Sequence, residues 1–114
     1  MQKTPQVDSA DVLRVVKREF PRDVDEVLRI LNSITGGPVK THRLHLAHLK
    51  NSQGSLKTLH ESLSIGDPRD VVSRAEYPGY LKRGWNAIGK LSPVEKQEII
   101  DLDWEQYDAW LNAE

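Results

Sequence analysis

Helix starts and helix breakers alternate along this chain so closely that most elements between them must be short. Pro21, the Gly36-Gly37-Pro38 run, the polar 51–54 turn, Gly66, Pro78-Gly79 and Ser92-Pro93 each end or open a segment. Between these marks, apolar residues recur every three or four positions. No stretch of four to eight residues alternates strictly between apolar and polar, as a half-buried strand would. The pattern predicts an all-α chain, a compact bundle of six or seven short helices.

Read in order, Asp8 or Ser9 caps a first helix that ends near Phe20, with Leu13, Val16 and Phe20 as its buried stripe and Val12 beside it. After Pro21, Asp23 opens a capping-box-like D-x-x-E with Glu26. Val24, Val27, Leu28 and Leu31 then form one apolar face, and Gly36-Gly37 closes that helix. Pro38 suits the first position of a third helix running to about Asn51. Ser55 starts a fourth, carrying Leu56, Leu59 and Leu63, and Gly66 closes it. Asp67-Pro68 caps and opens a fifth, which must stop before Pro78. Residues 80–91 suggest a short helix weakened by Gly84 and Gly89.

The last segment begins with a full S-x-x-E capping box, Ser92 to Glu95, with Pro93 at the first helical position. Ile100, Trp104, Tyr107 and Leu111 form one stripe, which predicts that Trp104 and Tyr107 are buried. Glu98, Asp101, Glu105 and Asp108 fall on the opposite, solvated side. Leu102 and Asp103 fit neither face of a straight helix, and Asp103-Trp104-Glu105-Gln106 reads as a second cap. A bend near 101–103 is therefore expected.

The 114 residues suit one helical domain, 1–114, with 1–7 as a disordered tail. A formal net charge of −1 does not mark a general binder of nucleic acid or membrane. No run of eighteen apolar residues occurs, and the first eleven residues have no apolar core of a signal peptide. The absence of cysteine excludes disulfides and zinc–thiolate sites. A cytoplasmic protein is the expectation.

The charges are sorted by position. Residues 27–60 contain no Asp or Glu but hold Arg29, Lys40, Arg43, Lys50, Lys57 and all four histidines. Residues 91–114 reverse this, with seven acids against Lys96 alone. Such sorting can set a partner, an orientation or a contact within the fold.

His42, His45 and His48 come nearest to a metal cluster, but a +3, +3 spacing fans them over about 120° of helix surface. No carboxylate in that helix completes a site, so they read as core-edge and surface histidines, and neither metal nor cofactor is expected. The basic stretch has no aromatic residue on which a base could stack. No G-x-S-x-G, phosphate loop or H-E-x-x-H is present, and no catalytic residue is assigned.

The densest mixture of charge and aromatic character is Arg69, Asp70, Arg74, Glu76, Tyr77 and Tyr80. It reads as a recognition surface or as a structural lock around the Tyr77-Pro78-Gly79-Tyr80 turn. Trp110, on the flank of the last stripe, is the best interface anchor. Arg69, Arg74, Glu76, Tyr77, Tyr80 and Trp110 thus form the candidate interaction surface.

Several pieces resemble a group of small uncharacterised bacterial proteins: Arg43-x3-Ala47-x2-Lys50, Gly54-x-Leu56-x2-Leu59, Arg69-Asp70-Val71, Ala75-Glu76-Tyr77-Pro78 and Asp103-Trp104-x-Gln106-Tyr107-x2-Trp110-Leu111. The likeness covers about residues 39–111. It implies a bacterial cytoplasmic source and a helical fold, and it carries over no active residue. The functional expectation is a non-catalytic protein–protein interaction or accessory module, partnered by another protein or by a second copy. A weak nucleic-acid binder using residues 40–60 ranks second, and an enzyme with an unrecognised site third.

Overall fold

The computed structural model describes residues 6–113 apart from Gly36 and Pro38, with Trp85 as backbone only. The described residues form eight helices and no strand: α1 (Ser9–Glu19), α2 (Val24–Asn32), α3 (Thr41–Ser52), α4 (Leu56–Leu63), α5 (Pro68–Glu76), α6 (Pro78–Lys82), α7 (Trp85–Gly89) and α8 (Pro93–Asn112). The chain is all-α. The two five-residue helices take the place of the single weak helix expected over 80–91, with Gly84 at φ +81° between them.

Most starts follow the local chemistry. Asp8 and Asp11 close a reciprocal capping box on α1, and Ser92 and Glu95 do so on α8. Ser55 Oγ accepts from the Thr58 N–H, and Asp67 Oδ1 from that of Arg69. Asp23 stands at the head of α2, but its side chain makes no cap bond, so the capping box expected with Glu26 does not form.

The ends correct the sequence reading in three places. Helix α2 stops at Asn32, before the glycines, with the Ser33 hydroxyl donating to Ile30 O. Helix α3 begins at Thr41 rather than at Pro38, which lies outside the described residues along with Gly36. It ends on Gln53, left-handed at φ +52°, followed by Gly54 at φ +75°. Helix α4 stops at Leu63, short of Gly66. Of the expected tail, residues 1–5 lie outside the described residues, while Val7 is half-buried against the core.

The bend expected near 101–103 is absent, and α8 runs unbroken from Pro93 to Asn112. Asp103 needs no bend, because the start of α6 comes to it. Its two carboxylate oxygens accept the Gly79 and Tyr80 N–H groups, each at 2.9 Å. A side-chain carboxylate of α8 thereby caps the N-terminus of α6. Gly79 is required there: a Cβ would stand 2.6 Å from Asp103 Oδ1. Leu102 simply remains exposed.

Two apolar clusters hold the bundle. The larger joins Val12, Val15, Val16 and Phe20 of the α1 segment to residues of α2, α3 and α4, and to Ile100, Trp104, Tyr107 and Leu111 of α8. The smaller joins Leu44 and Ala47 of α3 to Val71, Val72 and Ala75 of α5. Helix α3 contributes to both and packs on α1, α4 and α5. The α1 stripe is rotated from the one expected: Val15 is fully buried, while Leu13 lies on the flank and is exposed. Trp104 and Tyr107 are buried, as their spacing predicts. No helix among the described residues is long and apolar enough to cross a membrane.

Candidate functional site

Charged groups meet where α3, α5, α6 and α8 converge. Arg43 of α3 reaches Glu76 of α5 through two bonds, Nε to Oε2 at 2.8 Å and Nη2 to Oε1 at 2.6 Å. Glu76 is only 1% exposed, so the guanidinium supplies the opposite charge that burial demands. Its hydrogen bond to Glu76 holds the Arg43 pKa above the usual arginine value, against the effect of burial. Burial lowers the pKa of Lys50 on the same helix, while the Asp103 charge acts in the opposite direction.

Aromatic rings line the α8 side of this centre. Tyr77 stands edge-on to Trp104, and Trp104 edge-on to Tyr107, with centroids 6.3 and 5.9 Å apart. Burial raises the Tyr77 pKa, and the adjacent Glu76 charge adds to the effect. Burial also raises that of Tyr107. Trp104 Nε1 and the Tyr107 hydroxyl are buried with no hydrogen-bond partner among the described residues.

The histidines of α3 serve separate contacts. His45 Nε2 lies 2.9 Å from Ile34 O, an acceptor, so that nitrogen carries a proton and donates it. His48 Nδ1 lies 2.8 Å from Ser62 Oγ of α4. Burial lowers the His48 pKa to about 4, with His45 as the secondary cause. His42 is half-buried at the edge of the His45 ring. No group of three possible metal ligands gathers among the described residues. The His48–Ser62 pair stands between two open clefts. One, of about 440 Å³, is lined by Ile30, Ile34, Leu44 and Leu63 among others. The other, of about 340 Å³, is lined by Asn51, Thr58, Glu61 and Arg74 among others.

The candidate surface read from the sequence does not form as one patch. Glu76 is interior, a correction that follows from its pairing with Arg43. Tyr77 and Tyr80 are half-buried beside Asp103 and Trp104, in the locking arrangement. Arg69 and Arg74 stay outside, near Asp67 at 3.5 Å and Asp70 at 4.0 Å respectively. Trp110 is held within the chain: its Nε1 donates to Glu19 Oε1 at 3.1 Å, and the Arg18 guanidinium lies 5.2 Å from its ring centre. Sequence reading missed the Arg43–Glu76 pair and the Asp103 cap. Only Asp103 gave a signal, as the acid that fell off the solvated face of α8.

The solvated face of α8 is a second charged region. Glu98, Asp101, Glu105 and Asp108 are exposed along α8, as expected, and no ion pair reaches them among the described residues. Val94 and Leu102 stand among them, 67% and 54% exposed. At 100° per residue these six positions fall within about 120° of the helix surface. The face is therefore an acidic ridge with two apolar points.

No family model matches the chain. No solved structure matches it either. Over 59 residues the chain is 37% identical to the nuclear distribution protein nudF of Aspergillus terreus. The matched stretch is 52% of this chain and spans 12% of the length of that protein. That coverage assigns no family.

Proposed function

We propose that this chain is a non-catalytic protein-interaction module that presents the outward face of α8 to a basic partner surface. The observation that supports this is the exposure of Val94 and Leu102 within a row of carboxylates that no ion pair engages among the described residues. A solvated helix needs no apolar points, whereas a docking face gains affinity from them, and the carboxylates steer the encounter. The resemblance to small bacterial proteins supports a bacterial cytoplasmic setting. Less supports a nucleic-acid binder acting through residues 40–60. Arg43 is engaged by Glu76, Lys50 is half-buried, and His45 and His48 are interior, which leaves Lys40 and Lys57 exposed at opposite ends of the stretch.

The test is binding of a fluorescent amphipathic helical peptide with Lys on one face and Leu on the other, followed by anisotropy. Wild type should bind more weakly as salt rises, because the Debye length falls from roughly 10 Å at 0.1 M to 3 Å at 1 M. Glu98→Lys/Glu105→Lys should lose at least tenfold in affinity, about 1.4 kcal/mol. Equal binding by wild type and variant would sink the proposal.

A further inference from the structure

The outward face of α1 carries the opposite character to that of α8. Ala10, Leu13 and Lys17 follow one another at i, i+3 and i+7, with Arg14 beside them, and together they line a shallow apolar depression. Leu13 is 37% exposed. With Val94 and Leu102 it is one of three large exposed hydrophobic residues among the described ones, so all three lie on these two helices. No ion pair reaches Lys17 among the described residues. On α8, Leu102 is flanked at i−4 and i+3 by Glu98 and Glu105.

The end of α8 meets α1. Arg14 Nη1 donates to Leu111 O at 2.6 Å and Arg18 Nη1 to Ala113 O at 2.7 Å, so cations of α1 satisfy the last carbonyls of α8. Trp110 and Glu19 tie the same pair of helices. These bonds fix the last turn of α8 against α1, so one molecule carries both faces at fixed positions.

We infer that α1 and α8 form a self-complementary surface that docks a second copy of this chain, Leu102 of each protomer entering the Leu13 depression of its partner. The inference rests on the reading of α8 as an interaction face and names its occupant. The argument is charge complementarity. Glu98 and Glu105 around one apolar point meet Lys17 beside the other, Arg14 being already engaged by Asp11 and Leu111 O. A twofold arrangement uses both pairs at once and leaves neither face open, so association closes at a dimer. A net charge of −1 per chain adds little repulsion to oppose it.

Mass by light scattering tests the inference on the full chain. At about 0.1 M salt the wild type should have twice the monomer mass, returning towards the monomer near 1 M as the facing charges are screened. Leu102→Glu should be monomeric at both, and Lys17→Glu should be monomeric or nearly so. Combining Lys17→Glu with Glu98→Lys/Glu105→Lys exchanges the charges that meet around Leu102 and should restore at least part of the twofold mass. Circular dichroism keeps each variant interpretable, since all these positions are exposed and helicity should not change. A wild-type monomer at millimolar concentration and low salt overturns the inference, as does an open series of larger species. The basic peptide separates this failure from that of the broader reading. A monomeric wild type that still binds the peptide loses only the dimer, and one that binds neither peptide nor itself loses both.

Discussion

Helices α3 and α8 carry most of the sorted charge, and they dispose of it in opposite ways. Residues 44–49 of α3 are all buried, two histidines among them. Four of its polar side chains take partners from elsewhere in the fold: Arg43 binds Glu76, His45 binds Ile34 O, His48 binds Ser62 and Asn51 Nδ2 donates to Val71 O. Helix α8 instead divides into a buried stripe and a solvated ridge, with Asp103 as the acid that crosses over. A count of charges therefore does not say which helix faces water. What decides is whether the fold supplies a partner for each polar group, because an interior position is costly without one.

The largest expected effect comes from the buried side of α8. Trp104→Ala should destabilise the chain by roughly 3–5 kcal/mol, as removal of a core aromatic does. Denaturant unfolding measures it, and a change below about 1 kcal/mol would place the stripe outside the core.

On α3, Arg43→Ala leaves Glu76 buried without its cation and should cost roughly 3–4 kcal/mol. The double change Arg43→Met/Glu76→Leu should recover most of that loss, since two apolar groups leave nothing unpaired. If the double variant is no better than the single, the pair is not what couples α3 to α5.

Acid should act on α3 through His48. Its folded pKa, about 4, lies below the ordinary value of 6.5, so the unfolded chain binds more protons between those limits. Stability is retained above about pH 6.5 and declines as the pH falls towards 4. The loss attributable to this group should be on the order of 2–3 kcal/mol by about pH 4.5. His48→Gln removes the titration, and its urea midpoint should vary less over that window than the wild type's does. Parallel pH curves for the two proteins would assign the acid sensitivity elsewhere.

The same contrast explains how much was legible in the sequence. The stripe and ridge of α8 follow from spacing alone, since every residue that defines them lies in one helix. The caps Asp8, Ser55, Asp67 and Ser92 were readable because a cap and its N–H are two or three residues apart. The α3 contacts were not. Arg43 and Glu76 are 33 residues apart, and Asp103 and Gly79 are 24 apart. Nothing near Arg43 distinguishes it from a phosphate-binding arginine, and nothing near Glu76 marks it as interior. The candidate recognition residues are divided for that reason: they are near in sequence, and the fold places Glu76 in the interior and Arg69 and Arg74 at the surface.

The smallest expected effect on stability lies on the ridge. Glu98→Lys/Glu105→Lys changes the chain's charge by four units, more than any α3 variant above. Yet these carboxylates are exposed and have no ion-pair partner among the described residues. Exposed substitutions of this kind ordinarily stay within about 0.5 kcal/mol. The reversal also places cations outside an acid-rich helix, which relieves repulsion along the Glu98, Asp101, Glu105 and Asp108 row. Near-neutral or slightly raised stability is therefore expected, read from the urea midpoint of dilute protein so that no association contributes. A loss above about 1 kcal/mol would show that the ridge supports the fold, as α3 does, and would remove the difference between the two helices. A neutral result together with lost peptide binding would mean that α8 holds its carboxylates for contact with another surface.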